Sequence, residues 1–462
     1  MLKRLLARLF GSGASHRSDN NADFETLNRH APLRHSAVRQ EVAAPAAAEP
    51  EPPSGFICRE TILGRDHRVA GYQFMLQQGT RDRIRSRSRR IHHVYVEVLV
   101  RNILKLDVLR LLGHRKAFLD VPDSFLDHPS IAELPPASSV LTIGTVDDEG
   151  APDPAQVLDS VRRLRKAGYG IAIDVSVADA ANAFLLPEAD FLIVHANAAD
   201  PQRMRDVAAN LRRRNSRSLL VARDVPTQDD FLFCFGLGAS LYQGPFITRR
   251  EDWSGNTIGP NAARIADLLA RLRREDSDLH EIAQALQQDP ALALRLMRYI
   301  NSASIGMREE ITSIERALLL LGREKLYRWL MLLIYSADKG TARSTSLLEN
   351  ALVRARMMEL LGAHRPERER DAMFLVGLLS LVDAMLQVPM QEAMASLATA
   401  QEIEAAVVRG EGPMADLLQL AIACEQDNVA ELTRIAAKYD IDPAVVNDCH
   451  LQALAWALEV TN

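Results

Sequence analysis

Several things that would decide this protein's class at once are scarce in its sequence. Cysteine is one: Cys58, Cys234, Cys424 and Cys449 stand far apart, with no C-x-x-C spacing to hold zinc or form a redox pair. A disulfide scaffold is excluded, and a reducing cytoplasm suits such a chain. Aromatic residues make up only 5%, and no apolar run is long enough to cross a bilayer. There is no excess of positive charge either; the net charge of -5 gives no general pull towards nucleic acid, which is therefore not the expected partner. What is present is the balance of an ordinary globular chain, 47% hydrophobic and 25% charged. At 462 residues it exceeds one typical core and suits two domains plus tails.

The first ten residues, MLKRLLARLF, set Leu2, Leu5, Leu6 and Leu9 against Lys3, Arg4 and Arg8. They lack the apolar core of a secretory signal and suit a peripheral contact with an anionic membrane or a partner, with a frayed solvated helix as the plain alternative. From Gly11 to Ser54 the chain is polar and then rich in Ala, Pro and Glu, so residues 1–54 read as an amphipathic N-terminus and a disordered tether.

Residues 55–250 alternate short apolar runs with helical stretches. Eight strands are expected, starting at Phe56, Ala70, Lys116, Ser139, Gly170, Asp190, Ser218 and Ser240, the first two forming a hairpin across GRDHR. Eight strands with helices between them predict a (β/α) barrel, whose ligand site lies at the C-terminal ends of its strands. Residues 251–260 are rich in turn formers and read as a linker between separable folding units. From 261 to 462 strand signals vanish and amphipathic helices predict an all-α bundle. Asp289 with Pro290 is a helix cap, and Thr312 with Glu315 a capping box.

Particular segments carry a resemblance. Arg59 in the first strand, GYQFML from Gly71, LRKAGYGIAIDV, VARDV and the terminal YQGPF resemble the EAL family, bacterial phosphodiesterases that hydrolyse cyclic di-GMP on a TIM-like barrel. QDPALALRLMRYINSASIG and ITSIERALLLLGREKLYRWL resemble the HDOD domain, a helical relative of HD domains. The resemblance implies carboxylates and an asparagine around divalent metals, which activate a water against a phosphodiester. At the implied positions this sequence has Gln73, Asp120, Asp174, Val175, Ile193, His195 and Arg223, with Asp190 kept and Asp224 in place of a glycine. Only Gln243 and Gly244 of the last motif are intact. In the helical half, Ser380 and Leu381 replace the metal-binding His-Asp pair. The expectation is a chain that is not an enzyme and holds no metal or cofactor.

Three functions are open on this reading. The first is an interaction protein in cyclic di-GMP-linked control of motility, attachment or pili, with signalling proteins such as a diguanylate cyclase or pilus regulators as partners. The second is a receptor that binds cyclic di-GMP without turnover, using Arg59, Gln243, Gly244 and the Arg81 to Arg90 cluster. The third is residual hydrolysis by a set assembled from Asp120, Asp174, Asp190 and His195. Arg59 and Arg223 are candidate phosphate ligands, or else pair with Asp224 or Asp174. RDRIRSRSRR, with six arginines from Arg81 to Arg90, offers Arg83, Arg85 and Arg87 to an acidic partner; no aromatic platform accompanies them for RNA, and a solvated basic face is the plain alternative. The apolar segments MLLIYS and MMELL are candidates for a partner groove.

Overall fold

The computed structural model describes residues 55–76, 89–105, 108–144, 150–175, 183–197, 201–213, 217–249, 253–274, 278–301, 311–335, 342–426 and 428–461. The N-terminal 54 residues and the Arg83, Arg85 and Arg87 cluster lie outside these.

Eight strands close a barrel in sequence order: β1 (Ile57–Gly64), β2 (Val69–Leu76), β3 (Lys116–Pro122), β4 (Ser139–Gly144), β5 (Gly170–Asp174), β6 (Phe191–His195), β7 (Leu219–Arg223) and β8 (Leu241–Gln243). The hairpin is as expected, so β1 runs antiparallel to both β2 and β8, while β2 to β8 are parallel. Four longer helices accompany the strands: α1 (Arg89–Lys105), α2 (Pro154–Ala167), α3 (Pro201–Arg213) and α4 (Gln228–Gly236). Local chemistry sets their ends. Asp153 caps α2 ahead of Pro154, Gly168 ends it in the left-handed region, and Thr227 caps α4.

Inside the barrel, side chains alternate along each strand and stack in layers. Ile62, Phe118, Val140, Ala172, Ile193, Val221 and Leu241 fill one apolar layer. Two residues along the parallel strands, towards their C-terminal ends, the next layer is polar.

The C-terminal half is all helical: α5 (Pro260–Arg273), α6 (Leu279–Gln287), α7 (Pro290–Ile300), α8 (Ile314–Ile334), α9 (Ala342–Leu361), α10 (Glu367–Leu379), α11 (Pro413–Gln426), α12 (Val429–Lys438) and α13 (Pro443–Thr461), with short helices between α10 and α11. Asp289 caps α7 as expected, its carboxylate accepting from the amides of Ala291 and Leu292. The cap of α8 falls one residue later than expected: Ser313, extended in the backbone, accepts from Arg316. Gly377 brings α10 against α9, where a Cβ would stand 2.5 Å from the backbone of Ala355.

The two halves share one continuous hydrophobic core. The outward face of β1 packs on α11, and side chains of the helical half serve that strand directly. Asn447 on α13 accepts from the Ile57 amide at 2.7 Å and donates to Gly55 O at 2.8 Å. Asn350 on α9 accepts from Arg59 at 3.4 Å and from Thr61 at 3.1 Å. Arg115 meets Glu349 at 2.7 Å, and Lys105 meets Asp448 at 3.1 Å. This seam argues against two units that come apart at residues 251–260.

Candidate functional site at the barrel mouth

Every strand contributes an inward residue to the polar layer: Glu60, Gln73, Asp120, Thr142, Asp174, His195, Arg223 and Gln243. The pairing register runs through them, with Glu60 opposite Gln73, Asp120 beside Thr142, and His195 beside Arg223. The ring is legible once each strand's inward parity is known, because it lies two residues beyond the apolar layer on the parallel strands.

Arg223 is the hub of one side. Its Nη2 donates to Gln73 at 2.7 Å, its Nε to Gln243 at 3.1 Å, and its Nη1 stands 3.7 Å from Asp120. Gln243 in turn donates to Glu60. The guanidinium is almost fully buried, whereas the Asp120 side chain keeps about a third of its surface open. The pairing offered from sequence, Arg223 with Asp224 or Asp174, gives way to Asp120.

His195 is the hub of the other side. Its Nε2 is 2.8 Å from Asp174 and its Nδ1 2.5 Å from Asp224. Burial alone would lower its pKa, but hydrogen bonds and attraction from the two carboxylates outweigh it and raise it to about 9, so the ring carries a proton at neutral pH. Asp224 reaches His195 because it adopts the left-handed conformation (φ 56°), which an aspartate tolerates better than most residues.

Other expected site residues lie elsewhere. Arg59 is not at the mouth: on β1 Glu60 points inward, so its neighbour points outward and is buried at the seam, beside Asn350 and 3.7 Å from Glu425. Ile193 belongs to the apolar layer below the ring. Val175 packs against the main core. Asp190 sits at the opposite end of the barrel, accepting from the Ile171 amide and pairing with Arg165. The set Asp120, Asp174, Asp190 and His195 therefore assembles without Asp190. Gly244 has a backbone reason to be glycine: at φ 146° a Cβ would stand 2.4 Å from Val225 N. The segments MLLIYS and MMELL are core, with Met331, Leu332, Leu333, Ile334, Met357 and Met358 buried; the exposed leucines among the described residues of the helical half are Leu294, Leu319 and Leu320.

At the HD position, Ser380 donates to Gly377 O at 2.7 Å and accepts from Arg354, which also grips Glu425 through two nitrogens at 2.7 and 2.9 Å. That position is structural and continues the seam.

The resemblance to the EAL family implies divalent metal ions, which need hard oxygen donors with their charge available. The mouth does not fit them. A guanidinium faces Asp120, an imidazolium holds Asp174 and Asp224, and among the described residues no group of three or more His, Cys, Asp or Glu side chains is arranged to hold a metal ion.

A closed eight-stranded barrel followed by helices defines the class, and the comparisons agree with it. Residues 260–432 match the model of the HDOD domain, starting with α5. A closed eight-stranded barrel thus precedes a helical half that carries an HDOD domain. Uncharacterized protein YuxH of Bacillus subtilis is 21% identical over 409 residues, 87% of this chain and 97% of YuxH. Cyclic di-GMP phosphodiesterase CdgJ of Vibrio cholerae is 22% identical over 406 residues, 88% of this chain and 93% of CdgJ. Among solved structures, the Bacillus subtilis YkuI protein, with an EAL domain and in complex with substrate cyclic di-GMP and calcium, is 13% identical, covering 52% of this chain and 74% of that one at a TM-score of 0.36. The cAMP-bound EAL enzyme Bd1971 is 15% identical, covering 42% and 62% at a TM-score of 0.35.

CdgJ overturns the expectation that the chain is not an enzyme, since a relative matched along nearly its whole length is named a phosphodiesterase. That expectation equated the loss of implied metal ligands with the loss of chemistry. The mouth nevertheless gathers acids, a charged histidine and an arginine on converging strand ends. Among the described residues no helix is long and apolar enough to cross a membrane.

Proposed function

We propose that the chain acts on cyclic di-GMP as a phosphodiesterase of the EAL-HDOD family, with the barrel mouth as its site and the HDOD half as its main contact with partner signalling proteins. The observation that carries the reading is the pairing of a proton-holding His195 with a partly open Asp120 across a ring supplied by all eight strands. In phosphodiester hydrolysis a water oxygen bonds to phosphorus and the bond to one ribose oxygen breaks. Asp120 is suited to take the water's proton, and His195, once the leaving oxygen takes the place of one of its two aspartates, to give a proton to that oxygen. Arg223, beneath Asp120, holds that carboxylate in place by the attraction of its charge. The Arg83, Arg85 and Arg87 cluster, close in sequence to β2, adjusts partner contact by its charge.

Purified full-length protein incubated with cyclic di-GMP should release linear product, resolved by chromatography. His195→Gln and Asp120→Asn should each lower the rate about 100-fold or more, the usual weight of general acid or base catalysis, while thermal unfolding confirms that the variants are folded. Wild-type protein with neither turnover nor nucleotide binding by calorimetry sinks the reading. For the partner contact, deleting residues 261–462 should abolish partner recovery and charge reversal at Arg83, Arg85 and Arg87 only weaken it. The opposite ranking would move the contact to the barrel.

A further inference from the structure

Whatever the mouth binds, three of its carboxylates have a cation beside them from within the chain, and Glu60 accepts from Gln243. Asp120 has Arg223 Nη1 at 3.7 Å, and Asp174 and Asp224 share His195, at 2.8 and 2.5 Å through opposite ring nitrogens. These cations are not loosely placed. Arg223 is buried and fixed by Gln73 and Gln243, so it cannot swing away to let an ion in without giving up its hydrogen bonds to two buried amides. His195 is clamped on both nitrogens, so neither is available as a metal ligand without breaking a bond to an aspartate. A dication would have to displace a fixed positive charge and then share its ligands with another, at a distance where like charges in a part-buried site repel strongly.

We infer that the barrel mouth is a metal-independent phosphodiester site, in which the side chains of Arg223 and His195 stand as built-in counter-cations where a divalent pair would otherwise be required. The identity of the ligand rests on the function proposed above; the independence from metal does not. The inference makes Arg223 a positioning residue, acting through Asp120 and the two glutamines.

The test has two readouts on the full-length protein. Thermal unfolding is followed with Mg²⁺, Mn²⁺ or Ca²⁺ at millimolar concentration and with EDTA. The melting temperature of the wild type should be the same in all of them. Arg223→Glu replaces the cation by an acid beside Asp120, so this variant should melt lower in EDTA and gain a few degrees with Mn²⁺, because an ion that binds only the folded state stabilises it. If Arg223→Glu does not fold, His195→Asn frees Asp174 and Asp224 while keeping the buried guanidinium, and should show the same gain. A wild-type melting temperature that rises with Mn²⁺ and stops rising in Asp174→Asn overturns the inference. The second readout is calorimetric titration with cyclic di-GMP in EDTA. Binding in EDTA supports both the inference and the proposed function; binding only with metal overturns the inference and leaves the function standing. No binding in either condition overturns the function, while the melting data still decide the question of metal.

Discussion

Two histidines, one at the mouth and one at the seam, show how the same side chain is put to opposite uses. His195 is part-buried between two carboxylates and its pKa rises to about 9. His450 on α13 is fully buried, and its pKa falls to about 3 through burial first and the repulsion of Arg59 second. Among the described residues, neither ring nitrogen of His450 has a hydrogen-bond partner. The mouth keeps its charges near water, where they can meet a ligand; the seam shuts its charges away and tolerates only those with a partner. Arg59, Arg115, Arg354, Glu349 and Glu425 are as charge-rich as any active site, yet they join two domains rather than do chemistry.

The sharpest way to break the comparison is to remove a seam charge. Glu425→Gln takes away the carboxylate gripped by Arg354 and faced by Arg59. Leaving two buried cations short of their counter-charge should cost about 3–5 kcal/mol in chemical denaturation of the full chain. The same unfolding should stay a single transition, and chain cut by protease within residues 251–260 should still elute as one particle. Two separate transitions, or fragments that part on a sizing column, would show that the seam does not hold the halves together.

The two histidines predict opposite slopes of stability against pH. For His195 the folded pKa lies above the ordinary 6.5, so its contribution is complete below that value and is lost as pH rises towards and through 9. For His450 the folded pKa lies below 6.5, so its contribution is complete above that value and is lost as pH falls towards 3. His195→Gln should flatten the alkaline side of a stability curve and His450→Leu the acid side, each by on the order of 1–3 kcal/mol. If both variants change the same side, the contrast between mouth and seam is wrong.

The smallest effect concerns how the two aspartates share His195. Asp224→Asn should leave the fold intact and lower the histidine's titration by about one unit, or about 1.4 kcal/mol, read from its ring protons by NMR. No shift would mean that Asp174 alone holds the proton.

Much of this was legible in the sequence, and the failures have physical reasons. The eight strands were visible because short apolar runs between turns leave little freedom, and the helical half because its apolar spacing never breaks into alternation. Asp120, Asp174, His195, Arg223 and Gln243 were found at strand ends. Arg59 was misplaced because a one-residue difference decides whether a strand residue faces the lumen or the outside, and the partners that settle it lie on α9 and α11. The role of Asp224 depends on a left-handed backbone that no spacing reveals. The cap of α8 slipped by one because Thr312 and Ser313 are equally able acceptors, and only the backbone chooses between them.

The clamp of Asn447 on β1 bears on how the chain is made. Ile57 and Asn447 are separated by 390 positions, and translation at about 5–20 residues per second puts roughly 20–80 seconds between their appearances. During that interval the barrel's first strand lacks the side chain that satisfies the Ile57 amide and the Gly55 carbonyl, and the buried Arg59 waits first for Asn350 and then for Glu425. The outward face of the barrel's first strand is therefore completed only after the helical half has been made. A message truncated before α9 yields a product whose first strand lacks Asn350, Glu425 and Asn447 together, whereas one truncated just before α13 lacks only Asn447.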